Sequence, residues 1–427
     1  MKKNISSVLN EALLDITPSQ ELMNFMKNKL DLFMDSLEKR IKKLNIEVEP
    51  SVGGSYAKNT MIKKGTYDID VFLRFSKKYS EEQIPKLAKK LLKKTKHVSI
   101  VHGSRPYFQI KFNQSFKIEV VPVKKVNSPK ESKNITDLSY SHAKYINSKI
   151  KSKKILDEIK IAKAFTYAAG VYGAESYING FSGYSLELLI YHFKTFEKFL
   201  KALSKKKQSK IIIDIEKFYK KPKDVLIELN SSKLSSPIIL IDPTYKQRNV
   251  AASLSNETFR KFQKTAKEFL KNPSKDFFSK KIVDITKIRE NAKKENLEFL
   301  IVSTKTKKQA GDIAGAKLKK FYNHLKEEIN KYFIIKKTGF NYTKNFGGKA
   351  YFVVKKKKEI VFNGPEEKDI KNVEKFKKNH KEIYKEKGRI YSKKKIVFSL
   401  KEFLTLFKKQ NRKKIKQMYI TKIKFKD

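Results

Sequence analysis

The chain has 427 residues, enough for two to four domains, and its 39% hydrophobic and 12% aromatic content indicates a folded protein. It carries 98 Lys and Arg against 44 Asp and Glu, and the formal net charge of +54 favours a polyanion, above all a nucleic acid, as partner. The lack of cysteine excludes disulfides, thiol catalysis and Cys-ligated zinc, and no apolar run is long enough for a membrane span, so we expect a cytoplasmic protein with no membrane partner.

The N-terminal part of the chain predicts helices followed by a mixed sheet. Apolar residues spaced three and four apart over 8–45 indicate amphipathic helices. Short apolar segments then indicate strands, and the lysine-rich stretch 80–96 indicates a helix between the second and the third of them. The predicted strands are 48–54, 68–75, 98–101, 106–112 and 116–123.

Two carboxylates lie in the second predicted strand, after a Gly54-Ser55 turn. Because successive side chains of a strand point to opposite faces, Asp68 and Asp70 share one face while Ile69 lies on the other, apolar face. Paired carboxylate oxygens suit Mg²⁺, which brings substrate phosphates with it. The N–H groups and the hydroxyl of the turn can bind a triphosphate. The segment therefore indicates a site for phosphoryl transfer from a nucleotide, although an Asp-x-Asp strand alone also fits a solvated surface strand.

A third carboxylate, Glu119, lies in the predicted strand 116–123. Its neighbours Ile118 and Val120 belong to the opposite face of that strand. An unpaired charge in an apolar strand is costly to bury, so the acidic side chain requires a partner. A metal ion shared with the two aspartates supplies one.

The rest of the chain alternates between helical and strand patterns. Residues 152–206 have helical periodicity with two glycine-rich breaks. The predicted elements that follow are a strand at 238–241, a helix at 256–270, a strand at 297–302, a helix at 311–333 and a strand at 350–354. The tail 366–427 is lysine-rich with interleaved Phe and Tyr, which either stack on bases or fill a core. The lysine runs fit solvated faces as well as phosphate contacts.

These motifs in combination resemble one enzyme family. The Gly54-Ser55 turn, the Asp-x-Asp strand and the third carboxylate are similar to nucleotidyltransferases related to DNA polymerase β. Further segments resemble the neck and the C-terminal region of the archaeal, class I CCA-adding enzymes, namely 170–175, 180–190, 241–252, 363–365, 372–376 and 388–389.

The resemblance implies an α+β fold with a polymerase β-like nucleotidyltransferase head built on a mixed sheet, a helical neck, and an α/β body and tail. The implied boundaries are 1–145 for the catalytic head, 146–275 for the nucleotide-binding neck and 276–427 for the tRNA-binding body and tail. It implies an enzyme that adds C, C and A to the 3′ end of tRNA from CTP and ATP without a template, by two-metal transfer with Mg²⁺. The implied partners are the acceptor arm and 3′ end of tRNA and both nucleotides. The oligomeric state stays open at this stage, with a homodimer as one option.

The resemblance also assigns site residues one at a time. The catalytic, metal-binding carboxylates are matched by Asp68, Asp70 and Glu119. The nucleotide-binding positions are matched by Gly54, Ser55, Lys58, His142, Lys163, Tyr172 and Arg248. Two residues depart from the family pattern, because Glu119 stands where Asp is usual and Lys58 stands where Arg is usual. On the residues alone, His142 also fits a structural histidine and Arg248 a surface arginine, although only eight arginines occur in the chain.

Two other functions remain open at this stage. A poly(A)- or poly(U)-type terminal RNA nucleotidyltransferase would share the chemistry of the head, and a catalytically silent RNA-binding protein would share the positive charge. Product length separates the first from CCA addition, and metal-dependent incorporation of nucleotide separates the second.

Overall fold

The computed structural model describes residues 4–101, 106–126, 129–131, 135–205, 210–280, 283–343 and 347–426. The chain divides into two compact units, an N-terminal unit of residues 1–281 and a C-terminal unit of residues 282–427. Both mix helices with sheets, which confirms the predicted α+β class. No helix among the described residues is both long and apolar enough to cross a membrane.

The N-terminal unit begins with helices and a five-stranded sheet. The helices are α1 (Ile5–Ile16), α2 (Gln20–Leu44), α3 (Gly54–Ala57), α4 (Gln83–Leu92) and α5 (Ser139–Lys149). The strands are β1 (Val48–Val52), β2 (Tyr67–Phe75), β3 (Val98–Val101), β4 (Tyr107–Lys111) and β5 (Phe116–Lys124). The sheet order is β1-β2-β5-β4-β3, in which β2 and β5 are parallel and the other neighbours antiparallel. The mixed sheet and its five strands agree with the sequence pattern.

One face of this sheet is covered by helices and the other carries the carboxylates. Ile69 and Val71 of β2 and Ile118 of β5 are fully buried and pack in one apolar cluster with residues of α2 and α4. The side chains between them, including Asp70 and Glu119, lie on the opposite face and are only partly buried. The alternation of side chains in β2 and β5 therefore places the carboxylates on the face opposite the apolar cluster with α2 and α4.

The rest of the N-terminal unit is mainly helical and has a three-stranded sheet. Its elements are α6 (Lys153–Ala168), α7 (Gly183–Phe193), α8 (Phe196–Ser204), β6 (Ile211–Ile213), α9 (Pro222–Glu228), β7 (Ile238–Asp242), β8 (Tyr245–Asn249) and α10 (Asn256–Lys271). Phenylalanines of α6, α8 and α10 pack together, with Phe165 against Phe196, Phe262 and Phe269. Strand β7 is buried along its whole length between β6 and β8. The sequence predicted β7 but neither of its partners.

The C-terminal unit contains two antiparallel sheets. Its elements are α11 (Ile285–Lys294), β9 (Glu298–Thr306), α12 (Asp312–Tyr332), β10 (Phe333–Thr343), β11 (Gly347–Lys356), β12 (Glu359–Glu366), α13 (Ile370–Asn379), β13 (Ile383–Glu386), β14 (Arg389–Lys395), α14 (Leu400–Gln410), α15 (Arg412–Gln417) and β15 (Ile420–Lys426). The sheet orders are β10-β11-β9-β15 and β12-β14-β13. Apolar residues of α12 and α14 cover one face of the larger sheet. The final strand thus returns to pair with β9, which begins more than a hundred residues earlier.

Candidate functional site

The Gly54 turn lies directly against the carboxylate of Asp70. The N–H of Gly53 donates to the Asp70 carbonyl at 2.8 Å, which fixes the turn beside the middle of β2. Gly54 has φ +66°, and a Cβ there would lie 1.8 Å from Asp70 Oδ2. Only glycine satisfies both the left-handed backbone and this close approach. Ser55 follows within α3, so the structure brings the predicted turn and the predicted carboxylate together.

Asp70 and Glu119 face each other across the parallel pair β2–β5, where they are directly paired in register. Burial raises the pKa of Asp70 to about 7, and the charges of Asp68 and Glu119 add to this rise. Among the described residues, no side chain donates a hydrogen bond to the Asp70 carboxylate. A divalent cation would relieve the repulsion among these three oxygen donors, so the residues fit a hard metal ion.

Glu119 has partners of its own in this arrangement. Its carboxylate accepts a hydrogen bond from Gln109 Nε2 at 2.9 Å and forms an ion pair with Lys117. Among the described residues, no three His, Asp or Glu side chains form a group that could hold a metal as they stand. A metal ion bound by all three carboxylates would compete with Lys117 for Glu119.

A buried ion network links the turn to the helices that follow. Glu187 of α7 is fully buried and accepts from Lys163 Nζ at 2.8 Å and from Lys58 Nζ at 2.6 Å. The hydroxyl of Thr60 donates to Glu187 at 3.2 Å and accepts from Lys163 at 2.7 Å. Lys163 is only 2% exposed. Both lysines predicted to bind triphosphate are therefore held by one carboxylate, which sequence reasoning missed.

The charges of this network stabilise one another. Burial alone would raise the pKa of Glu187, but Lys163 and Lys58 lower it to about 2. Burial lowers the pKa of Lys163 to about 8 against the opposing effect of Glu187. Removing any one of these three charges would leave another charge uncompensated in the interior, which is costly.

Tyr172 and Lys163 line a small cavity that reaches the first aspartate. Its wall also includes Ser55, Lys64 and Asp68. Lys64 Nζ lies 4.9 Å from the centroid of the Tyr172 ring, and burial lowers the pKa of Lys64 against the opposing charge of Asp68. Burial raises the pKa of Tyr172, so its hydroxyl stays protonated. Lys64 is thus a further cation at the site that the sequence did not single out.

His142 and Arg248 meet at a second buried carboxylate. Asp242, at the end of β7, accepts from Arg248 at 2.6 Å and lies 3.1 Å from His142 Nε2. Tyr184 donates to the same carboxylate at 3.1 Å and stacks on the His142 ring at 4.2 Å between centroids. Burial would raise the pKa of Asp242, but His142 and Arg248 hold it well below its usual range. Burial lowers the pKa of His142.

The predicted site residues therefore fall into two groups. The first group consists of the three carboxylates and the residues near them and near Glu187. Its members are Gly54, Ser55, Lys58, Asp68, Asp70, Glu119, Lys163 and Tyr172. The second is His142 with Arg248 on Asp242. Glu187 and Asp242 could have been found by the argument used for Glu119. Glu187 lies inside the apolar run Leu186-Glu187-Leu188, and Asp242 directly follows the apolar run 238–241.

Comparison with known proteins gives consistent matches. The family model "tRNA nucleotidyltransferase, second domain" matches residues 157–279, which contain Lys163, Tyr172, Glu187, Asp242 and Arg248. A CCA-adding enzyme of Nanoarchaeum equitans is 42% identical over 57% of this chain and 59% of its own length. One from Methanocaldococcus jannaschii is 32% identical over 67% and 65%, and one from Saccharolobus shibatae is 30% identical over 68% and 67%. The match to the first two thus spans about three-fifths to two-thirds of their length.

A solved structure supports the fold on its own. The Cid1 poly(U) polymerase, solved with magnesium and 3′-dATP bound, superposes with a TM-score of 0.50 at 12% identity, over 64% of this chain and 98% of that one. At this identity the likeness concerns the fold alone, a nucleotidyltransferase fold with α+β architecture. The chain is 30% identical to the Saccharolobus shibatae protein over two-thirds of that protein's length. This match, together with the family model, shows that the chain belongs to the family of archaeal CCA-adding enzymes.

Proposed function

We propose that this chain adds C, C and A to the 3′ end of tRNA from CTP and ATP, without a nucleic-acid template. In each step the 3′-hydroxyl oxygen of the RNA bonds to the α-phosphorus of the nucleotide. The bond from that phosphorus to the bridging oxygen breaks, and pyrophosphate and one proton leave. The observation that carries the proposal is the pairing of Asp70 and Glu119 on parallel strands beneath the Gly54 turn, with Asp68 two residues away.

The three carboxylates would hold Mg²⁺. When bound, such ions neutralise the triphosphate and make the 3′-hydroxyl a better nucleophile. The raised pKa of Asp70 supports this assignment, because burial and then the neighbouring carboxylates disfavour its ionised form, which a bound cation would stabilise. The chain's own part is to present oxygen donors from two strands whose register fixes their spacing.

The nucleotide phosphates would bind at the turn and at the lysines beside it. Gly54 lets the turn approach Asp70 closely, and the backbone N–H groups of the turn and the Ser55 hydroxyl can donate to a phosphate. Lys58 is 10% exposed whereas Lys163 is 2% exposed, so Lys58 is the cation that can turn from Glu187 towards a phosphate. Lys163 would act from its fixed position, together with the hydroxyl of Tyr172.

The base would lie near the Asp242 group. The guanidinium of Arg248 is planar and can donate two parallel hydrogen bonds to a base edge or a phosphate. Asp242 holds that guanidinium at 2.6 Å, and the neighbouring His142 is kept in place by the same carboxylate. Arg248 and His142 are therefore our candidates for contacting the incoming nucleotide.

We further propose that residues 1–145 form a catalytic head, 146–275 a nucleotide-binding neck, and 276–427 a body and tail that bind the acceptor arm. The chain's charge of +54 supports an RNA partner. Its lack of cysteine supports a reducing, cytoplasmic location. We propose a homodimer as the assembly, and analytical ultracentrifugation would test this.

A tailing polymerase is the second candidate, favoured by the likeness in fold to the Cid1 poly(U) polymerase. Incorporation on tRNA without its 3′ terminus, with CTP alone, ATP alone or both, separates the two. We expect two C residues, then one A, then a stop. A long ladder of one nucleotide would indicate tailing, and binding of tRNA without incorporation would indicate a silent RNA-binding protein.

A further inference from the structure

Lys64 differs from the other lysines of the candidate site in having no carboxylate partner among the described residues. Lys58 and Lys163 both donate to Glu187. The Nζ of Lys64 forms no hydrogen bond and no ion pair with any residue that the structure describes, and the attraction of Asp68 reaches it only from beyond ion-pair distance. A partly buried ammonium without a bonded anion is costly, so this arrangement favours a ligand that carries negative charge.

Two tyrosine rings hold this ammonium in place. The Nζ of Lys64 lies 4.9 Å from the centroid of the Tyr172 ring and 5.7 Å from that of Tyr167. The centroids of the two rings are 6.4 Å apart and their planes meet at 77°, so the rings form a corner around the cation. A ring face attracts a cation through its quadrupole but is only a weak acceptor for N–H groups. The corner therefore fixes the position of Lys64 and leaves its N–H groups able to donate to an oxygen ligand.

Lys64 lies in the wall of the cavity that contains the proposed phosphate-binding groups. Ser55, Lys163 and Tyr172 belong to the same wall, and so does Asp68. Under the proposed function, the α-phosphorus of the nucleotide is held at the carboxylates, where the 3′-hydroxyl attacks it. Because Ser55 and Lys163 would bind the rest of the triphosphate, the phosphates beyond the α-phosphate would lie beside Lys64.

Positive charge exceeds negative charge around the buried ion network. The charges of Lys58 and Lys64 both lower the pKa of Lys163, so the three ammonium groups are close enough to repel one another. Glu187, which pairs with Lys58 and Lys163, carries only one negative charge. A triphosphate or a pyrophosphate carries several negative charges, and its binding would remove the repulsion that remains.

We propose that Lys64 is a further phosphate-binding residue, which donates to the β- or γ-phosphate of the incoming CTP or ATP and holds pyrophosphate until it leaves. The inference rests on the proposed function and adds a residue for its leaving group. When the bond from the α-phosphorus to the bridging oxygen breaks, its electron pair stays on that oxygen, and the pyrophosphate gains negative charge. The fixed positive charge of Lys64 stabilises that charge as it develops, without transferring a proton.

A purely structural role is the alternative, in which Lys64 only orients the two tyrosine rings. The chain offers a matched control for it. The Nζ of Lys280 lies 5.3 Å from the centroid of the Tyr167 ring, but Lys280 is exposed and lies outside the cavity wall. Lys280→Met therefore removes the same charge from the same ring without removing a group from the cavity.

The test compares Lys64→Met with Lys280→Met in the full-length protein at a fixed Mg²⁺ concentration. Calorimetry measures the Kd of inorganic tripolyphosphate, and CCA addition measures the inhibition constants of pyrophosphate and of CMP, which lacks the β- and γ-phosphates. For Lys64→Met we expect the Kd of tripolyphosphate and the inhibition constant of pyrophosphate to rise about ten- to a hundredfold, the range of a hydrogen bond to a charged group. The inhibition constant of CMP and the KM for tRNA should stay at the wild-type values. Lys64→Gln gives a second measure if circular dichroism shows that Lys64→Met does not fold.

Unchanged binding of tripolyphosphate and pyrophosphate in the Lys64 variants would overturn the inference. An equal loss in Lys280→Met, or an equal weakening of CMP, would also overturn it, because both results indicate an effect through the tyrosine rings. Failure of the proposed function has a different signature, since the wild type would then not add C, C and A although its tripolyphosphate binding still depended on Lys64. Failure of the inference alone would leave CCA addition intact and tripolyphosphate binding insensitive to Lys64.

Discussion

The two units use charge in opposite ways. In the N-terminal unit, Glu187 joins Lys58 and Lys163 in the interior, and Asp242 joins Arg248. In the C-terminal unit four exposed lysines of the larger sheet form no ion pair with any described residue, namely Lys305, Lys349, Lys422 and Lys424. Interior attraction acts at low effective dielectric and is little affected by salt, whereas surface repulsion is screened within about 10 Å. Buried charge therefore fixes geometry, and exposed charge attracts a partner.

The largest effect should come from Asp70, whose carboxylate accepts no side-chain hydrogen bond from the described residues. We expect Asp70→Asn to reduce nucleotide incorporation by about four orders of magnitude, or about 5.5 kcal/mol, because it removes a metal ligand that the other carboxylates cannot replace. Single-turnover incorporation on tRNA without its 3′ terminus measures this loss. Duplex RNA affinity, measured in parallel, should stay at the wild-type value, and incorporation within tenfold of wild type would contradict the metal assignment.

The next effect concerns stability. Glu187→Gln leaves the buried Lys163 without a counterion, so that the amine must either lose its proton or stay charged in the interior. We expect the free energy of unfolding to fall by about 3–5 kcal/mol. The matched control is Glu197→Gln, which breaks the exposed pair of Glu197 with Lys201 and should cost less than about 1 kcal/mol. Urea unfolding followed by circular dichroism measures both.

A double variant identifies the cause of that loss. Replacing Lys163 by Met together with Glu187→Gln removes both charges, and it should recover much of the stability lost in the single variant. If the double variant is as unstable as Glu187→Gln alone, the stabilisation comes from packing and not from the ion network.

The same network predicts an acid-sensitive component of stability. The pKa of Glu187 in the folded protein is lowered to about 2, so its contribution is fully present above the unfolded value near 4.5 and is lost as pH falls towards 2. We expect wild type to lose about 3 kcal/mol more than Glu187→Gln between these two pH values. If the free energy of unfolding fell equally with pH in wild type and in Glu187→Gln, the pKa of Glu187 would be the same in the folded and the unfolded protein.

Sequence periodicity predicted the parts of the fold that depend on local pattern. The apolar alternation in β2 placed Asp68 and Asp70 on one face, and the structure confirms that face. The register of β2 with β5, which pairs Asp70 with Glu119, came only from the structure. Of the C-terminal strands, β9 and β11 were predicted. Strand β15 was missed although it has the pattern Ile-Thr-Lys-Ile-Lys-Phe-Lys, because lysine is so abundant that the pattern resembled a solvated tail.

The site was harder to predict because its partners are distant in sequence. Lys58 meets Glu187 across 129 positions, and His142 meets Asp242 across 100. Spacing along the chain carries no signal for such pairs, and only the cost of burying a lone carboxylate could have pointed to them. The roles of Lys58 and Lys163 towards phosphate stay predictions.

A smaller effect is expected at the second buried carboxylate. Asp242→Asn removes the charge that holds Arg248 at 2.6 Å, a charge-assisted hydrogen bond of about 1.5–3 kcal/mol. We expect KM for CTP and ATP to rise about ten- to a hundredfold, with a smaller change in kcat. Asp157→Asn, which breaks a partly exposed pair with Lys160, is the control. An unchanged KM with reduced kcat would exclude Arg248 as a residue that binds the incoming nucleotide.

The smallest expected effect is a gain in stability, opposite in sign to the loss expected for Glu187→Gln. A carboxylate is essential in the interior network. Among the exposed lysines of the larger C-terminal sheet a carboxylate should stabilise the fold, because Lys422→Glu turns the repulsion with Lys305 into attraction. We expect the free energy of unfolding to rise by about 0.2–1 kcal/mol at low ionic strength and the gain to vanish in 1 M KCl. Lys422→Gln should give part of this gain by removing repulsion alone. A stabilised variant that binds duplex RNA more weakly would show that these lysines are unfavourable for folding and are favourable only with RNA bound.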